Sequence, residues 1–455
     1  MNDLMNEGSL NDNLERLSNY TSEASSIDAD LFSKYNVQRG LRDKRGRGVL
    51  VGITNISEVN GKIDKEDGPE PIEGELYYRG YNIYDLISGI RLEDHFGFEQ
   101  CVYLLLFGHL PTMQELNEFC QILSKYRSLP TYFVRDVIMK RTSTDMMNGL
   151  ARSVLTLYSY DEKPDDTTLS NVLRQCISLI AQFPLLSVYG YKAYRHYYKY
   201  DSLIIHNPRV EYSTAENILH CLRDDSFFTP LEAKALDVAL ILHMEHGGGN
   251  NSTFTTHLVT STGTDTYSAI AAAIGSLKGP RHGGANMKVV QMFSDMKVHL
   301  KDWTDENEVA DYIRALLNHE AFDKKGLVYG MGHAVYTLSD PRARLLKEFV
   351  QKLSVEKGLE KEYALYELVE KVAPPIIQQE KNIIKPVCAN VDFYSGFAYQ
   401  MLGLPMELYT PIFAIARIAG WSAHRLEEIA LNNKIMRPAY MTVKEHETYK
   451  PLEER

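Results

Sequence analysis

A chain of 455 residues with 44% hydrophobic and 24% charged side chains has an ordinary globular composition, which excludes wholesale disorder and leaves room for two to three domains. Its 49 basic against 60 acidic residues give a net charge of -11. That argues against a nucleic-acid binder, which needs a basic face to displace phosphate counterions, but is compatible with a local basic pocket for small anions.

Residues 1–36 carry few apolar positions of any period and read as a frayed or weakly helical extension. They lack the apolar core of a signal peptide and the Arg-rich face of a presequence. A basic stretch follows from Arg39 to Arg47. Gly48–Gly52 is the expected first strand, leading to a hairpin turn at Asn60-Gly61, a pair that tolerates positive φ. Gly74–Gly80 is a second short strand candidate.

From there the pattern is helical almost throughout. Phe98–Phe107 and Met113–Leu123 space their apolar residues by three and four. Leu231–His246 is a strongly apolar helix candidate stopping at Gly247-Gly248-Gly249, and Asp265–Leu277 is rich in Ala and Gly. Asp340-Pro341 and Thr410-Pro411 have the form of an N-cap followed by Pro, the latter opening a run to Leu431, and Asp392 reads as the cap of Phe393–Leu402. The fold class is therefore all-α with a minor N-terminal β-hairpin. The expected organisation is an extension (1–36), a large domain (37–284), a small inserted domain (285–390) and a return to the large domain (391–455). No run of 18 apolar residues predicts a membrane span. Five scattered cysteines without a Cys-x-x-Cys pair read as reduced thiols, so the expected location is the cytoplasm.

Four segments of the second half concentrate His, Arg, Asp and Gly: His243–Asn250, Gly279–Asn286, Gly330–Tyr336 with Asp340-Pro341-Arg342, and Asn390–Gly396. Histidines beside glycines at helix ends leave backbone and imidazole open to a ligand. Singly, each has a plainer reading as a cap or a solvated residue. His243 and His246 share a helix face, yet no third ligand stands nearby and His-Glu-x-x-His is absent, so no metal is expected.

Together, GPRHGGAN at 279–286, GHAVY with DPRA at 332–343, NVDFYSG at 390–396 and ARIAGW at 416–421 resemble the citrate synthase family, from about Gly40 to the C-terminus. The resemblance implies an all-α homodimer with a large and a small domain around a cleft. It also implies an acyltransferase that condenses acetyl-CoA with oxaloacetate and hydrolyses citryl-CoA, with no cofactor beyond coenzyme A as co-substrate. His282, His333 and Asp392 would be catalytic. His246, Arg342 and Arg417 would hold oxaloacetate, joined by Arg437 from the partner subunit. Gly330, Met331 and Gly332 would line coenzyme A. Family members usually carry a basic residue four or five positions after the His333 equivalent, where this chain has Thr337 and Leu338. Arg42, Lys44, Arg45 and Arg47 are the candidate substitutes for phosphate binding. The near rival is 2-methylcitrate synthase, which takes propionyl-CoA, since one methylene is worth only about 1–3 kcal/mol in a pocket. From other classes, the rivals are a silent helical scaffold and a His-based metalloprotein.

Overall fold

The computed structural model describes residues 7–43, 47–65, 68–432 and 434–455, which divide into two compact units, one up to Ile53 and one from Thr54 to Arg455. In the first unit the expected frayed extension forms the helices Glu7–Ala24 and Ala29–Lys34. Asp28 caps the second by accepting the Asp30 N–H at 2.9 Å. The strand expected at Gly48–Gly52 does not form. Apart from a bridge between Arg42 and Gly48 the stretch is irregular, and Leu50 is 85% exposed, so no neighbouring strand rewards extension. Of the basic stretch, Arg47 is paired with Asp43 at 3.0 Å, while Lys44 and Arg45 lie outside the described residues.

Among the described residues of the second unit the named strands form one antiparallel sheet, β1 (Ser57–Lys65), β2 (Gly68–Tyr78) and β3 (Tyr81–Asn82), in that order. Asn60-Gly61 is not the hairpin turn. It sits within β1, where the register slips between Asn60 and Lys62. The glycine is needed for packing: a Cβ at Gly61 would overlap the Val335 carbonyl, and one at Gly74 in β2 would overlap the Ser339 carbonyl and the Tyr336 ring. Two glycines thus let the hairpin lie directly on backbone 335–339. Hydrogen bonds from Gly74 N–H to Ser339 Oγ (3.1 Å) and from Tyr336 OH to Glu75 O (3.2 Å) fix it there.

Among the described residues there are seventeen α-helices. Phe98–Phe107 matches its predicted bounds, and the next runs Met113–Tyr126, opened by a capping box of Thr112 and Glu115. The helix expected to reach His246 is Pro230–His243. It stops early because Glu245 turns its carboxylate back onto the Gly247 N–H at 2.6 Å, with Gly247 at φ +85°. Thr410-Pro411 is not a cap but lies in the first turn of Tyr409–Leu431, because a 3₁₀ turn at Met406–Leu408 runs straight into that helix. The Thr410 hydroxyl instead donates to Gly283 O at 3.0 Å. Asp392 is not a cap either: Asn390 caps Val391–Met401 by accepting the Asp392 N–H at 3.0 Å.

Two helices form the centre. Leu169–Lys199 is long and apolar enough to cross a membrane by length and composition, but 83% of its apolar window is buried inside the protein, as in a core helix. Tyr409–Leu431 packs against it and against Pro230–His243 and Asn251–Thr260. This second helix is buried nearly all round and carries the fully enclosed Trp421, Arg417 and Arg425.

Candidate active site

His333 follows Gly332, which takes φ +86°. Its Nδ1 accepts the backbone N–H groups of Val335 (3.1 Å) and Tyr336 (3.2 Å). A nitrogen that accepts two hydrogen bonds carries no proton, so the neutral ring holds its hydrogen on Nε2, ready to donate. The ring stacks on Tyr336 at 4.8 Å and meets the edge of His246 at 5.1 Å. Burial, reinforced by Arg342, holds His333 down at about 4.

His282 sits in the turn between the helices Thr266–Lys278 and Ala285–His299, its Nε2 3.0 Å from Ser252 Oγ. Ser252 was not singled out from the sequence. Its hydroxyl also accepts Trp421 Nε1–H at 3.1 Å and lies 3.0 Å from Asn250 Oδ1. One hydroxyl proton serves either Asn250 or His282, so Ser252 governs which imidazole nitrogen is protonated. Burial, then Arg417, depresses His282 to about 4. Both rings are therefore neutral at physiological pH.

Asp392, in the first turn of Val391–Met401, is pushed up to about 6 by burial, with Arg342 and Arg417 pulling down and Asp340 pushing up. Asp340 is the other residue the sequence reading undervalued. It caps the helix Pro341–Lys357, grips Arg342 through Nε (3.0 Å) and Nη2 (2.7 Å), and accepts the Val391 N–H at 3.2 Å. One buried carboxylate thus joins the starts of two helices and orients an arginine. Its sequence signal was the Asp-x-Arg spacing, which a cap reading absorbed.

Arg417 donates Nε to His243 O at 2.7 Å, yet both terminal nitrogens are buried without a protein partner. His246 Nε2 is likewise buried and unpartnered. An enclosed guanidinium with two free donors is costly alone and suits a planar carboxylate. Gly330 and Gly332 are held in a backbone clasp: Gly332 N–H to Cys388 O (2.8 Å), Asn390 N–H to Gly330 O (2.9 Å), and Asn390 Nδ2 to Gly332 O (2.8 Å). Met331 bridges Ala389. A Cβ on Gly330 would press on Phe393. Arg437 stands apart, exposed in the extended tail after Leu431.

The structure thus gathers His246, His282, His333, Arg342, Asp392 and Arg417 in one interacting set, drawn from helix ends and turns of the second unit. Neutral histidines, a carboxylate poised near 6 and buried guanidinium groups make an all-α enzyme site suited to proton transfer on an anionic substrate. Comparison with known proteins agrees. The sequence signature described as "Citrate synthase, C-terminal domain" matches residues 41–439. Citrate synthase 2 of Bacillus subtilis is 36% identical, covering 84% of this chain and 94% of that one. 2-Methylcitrate synthase 2 of Corynebacterium glutamicum is 32% identical, covering 90% and 96%. The citrate synthase of Thermoplasma acidophilum, solved as a ternary complex with carboxymethyl coenzyme A and oxaloacetate, superposes with a TM-score of 0.74 at 26% identity, covering 92% of this chain and 99% of that one. The chain belongs to the citrate synthase family.

Proposed function

We propose that this chain condenses the methyl carbon of acetyl-CoA with the ketone carbon of oxaloacetate and hydrolyses the resulting citryl-CoA to citrate and coenzyme A. The observation that carries the reading is Arg417: a buried guanidinium whose two terminal nitrogens await a planar anion. Arg342 and His246 complete the cradle for the dicarboxylate.

Asp392 takes a proton from the thioester methyl group. A base near 6 is ionised at physiological pH yet strong enough to share the proton in the transition state, a contribution on the order of 10²–10⁴ in rate. His282, with Ser252 donating to its Nε2, offers Nδ1–H to the forming enol oxygen; one such donor is worth about 2.7–4 kcal/mol. His333 donates Nε2–H to the ketone oxygen, polarises it and then protonates the new alkoxide. The enol carbon forms the new bond, and water afterwards cleaves the thioester. No resident cofactor enters these steps.

The wider reading is a homodimer in which Arg437 reaches the partner's site. Residues 285–390 form the small, acyl-CoA-side domain, which closes once oxaloacetate is bound, with Gly330, Met331 and Gly332 along the coenzyme. Five free cysteines suit the reducing cytoplasm, and the reaction fits the tricarboxylic acid cycle. The resemblance to 2-methylcitrate synthases at 32% identity supports propionyl-CoA as the second reading. Following thiol release with acetyl-CoA and propionyl-CoA, each with and without oxaloacetate, decides between them. Faster oxaloacetate-dependent release from acetyl-CoA is expected; faster release from propionyl-CoA would replace the proposal with the second reading.

A further inference from the structure

Next to the turn that carries His246 lies a cluster of polar side chains that the condensation does not use. His257, on the helix Asn251–Thr260, and His424, on Tyr409–Leu431, aim Nε2 and Nδ1 at each other across 3.0 Å. Their outer nitrogens face carboxylates: His257 Nδ1 lies 2.8 Å from Glu428 Oε2, and His424 Nε2 lies 3.2 Å from Glu245 Oε1. The side chains of His424 and Glu245 are wholly enclosed, and Glu428 is 4% exposed.

The Glu428 carboxylate accepts from His257 Nδ1 and keeps the proton on that nitrogen, whereas His424 Nε2, close to Glu245, is buried without a hydrogen-bond partner. With the His257 proton held on Nδ1 and that of a neutral His424 on Nε2, the inner nitrogens present lone pairs to each other at 3.0 Å. That is repulsive unless something positive lies between them. A third donor is at hand. Glu427 Oε2 lies 4.0 Å from His424 Nδ1, on a side chain only 10% exposed, and has no hydrogen-bond partner. Its other oxygen is fixed by the Asn55 N–H at 2.8 Å. Arg79 adds a nearby positive charge to Glu427, but its guanidinium donates to Leu105 O. The three donor atoms fall within 4.8 Å of one another. On a further side stands Gly248, where a Cβ would come 3.7 Å from His257 Nε2 and 3.9 Å from His424 Nδ1. Without that Cβ there is space for a fourth ligand.

We propose that His257 Nε2, His424 Nδ1 and Glu427 Oε2 bind a divalent transition-metal ion of the zinc class, with water beside Gly248 as the fourth ligand. Nitrogen ligands of tetrahedral zinc stand about 3.3 Å apart, so the histidines need separate only slightly while Glu427 swings inward. The outer carboxylates Glu428 and Glu245 are the partners that orient ligating histidines. The role is structural. Glu245 also accepts the Gly247 N–H at 2.6 Å and the Ser57 hydroxyl at 2.9 Å, so the ion would stiffen the turn that presents His246 without entering the reaction.

The test uses the full chain, stripped with a chelator and titrated with Co²⁺. Tetrahedral cobalt bands saturating at one equivalent per chain, and bleached by Zn²⁺, are expected. His257→Ala and Glu427→Gln should each weaken binding at least tenfold, and Glu428→Gln by roughly 10–100-fold, whereas exposed His446→Ala should bind as before. No cobalt spectrum in the unmodified protein, or undiminished binding in Glu427→Gln, would overturn the proposal and leave a single shared proton between the rings. Glu427→Gln decides even if His257→Ala fails to fold, because it leaves the histidine pair in place.

Discussion

Replacing Asp392 by Asn keeps the side chain's shape and removes only its ionisation, so it separates catalysis from stability. In the folded chain Asp392 titrates at about 6 against an ordinary value of 3.8, with burial the first cause. A folded-state value above the unfolded one means the folded chain keeps its proton while the unfolded chain releases it. The stability this group supplies is therefore complete below about pH 4, declines as pH rises, and is gone above about pH 6. At pH 8 the buried carboxylate costs at most about 3 kcal/mol, and Asn avoids that cost. For a chain of 455 residues an unfolding entropy on the order of 1 kcal/mol/K converts this into a Tm increase of about 3 °C. Turnover should fall by roughly 10²–10⁴ in the same protein. Scanning calorimetry of both proteins at equal concentration from pH 4 to 8, beside a thiol-release assay, reads both effects. The Tm gap should close as pH falls from 6 toward 4. An Asn variant that melts below the parent at pH 8, or a gap indifferent to pH, would refute the assignment of burial as the cause.

Two further outcomes are expected. Because His282 and His333 are held at about 4, neither should titrate between pH 5 and 8 in ¹⁵N spectra, with His333 protonated on Nε2; the acid limb of kcat should then be a one-proton step near 6, and an imidazole titrating near 6.5 would contradict this. If each site is shared between subunits, co-refolding Asp392→Asn with Arg437→Ala, each nearly inactive alone, should restore roughly a quarter of the parent activity, because half of the randomly paired dimers regain one intact site; no recovery in demonstrated mixed dimers would place Arg437 within its own chain.

The helical class was legible because three- and four-residue apolar spacings are local signals, whereas the set His246, His282, His333, Arg342, Asp392 and Arg417 was legible only through the resemblance of its motifs to the citrate synthase family. What escaped was non-local. Asn60-Gly61 has the composition of a turn, but its glycine answers to the Val335 carbonyl far along the chain. Helix Pro230–His243 ended early through the Glu245 carboxylate, a side-chain event that no apolar period records. Ser252, Asp340 and the pair His257–His424 acquire meaning only when separate helices meet. Arg437 is the reverse case: motif similarity singles it out, and a single chain leaves it exposed.

The clasp between Gly330–Gly332 and Cys388–Asn390 also constrains how the site can move. His333 and Asp392 are each only a residue or two from that seam, so its backbone hydrogen bonds set the spacing between acid and base. Asp340, bonded to Arg342 and to the Val391 N–H, rivets an arginine to the same plate. His246, His282 and Arg417 are anchored instead in the turns and helix 243–284 and 409–431. The spacing between proton donor and acceptor is thus written into backbone hydrogen bonds and does not depend on side-chain packing alone.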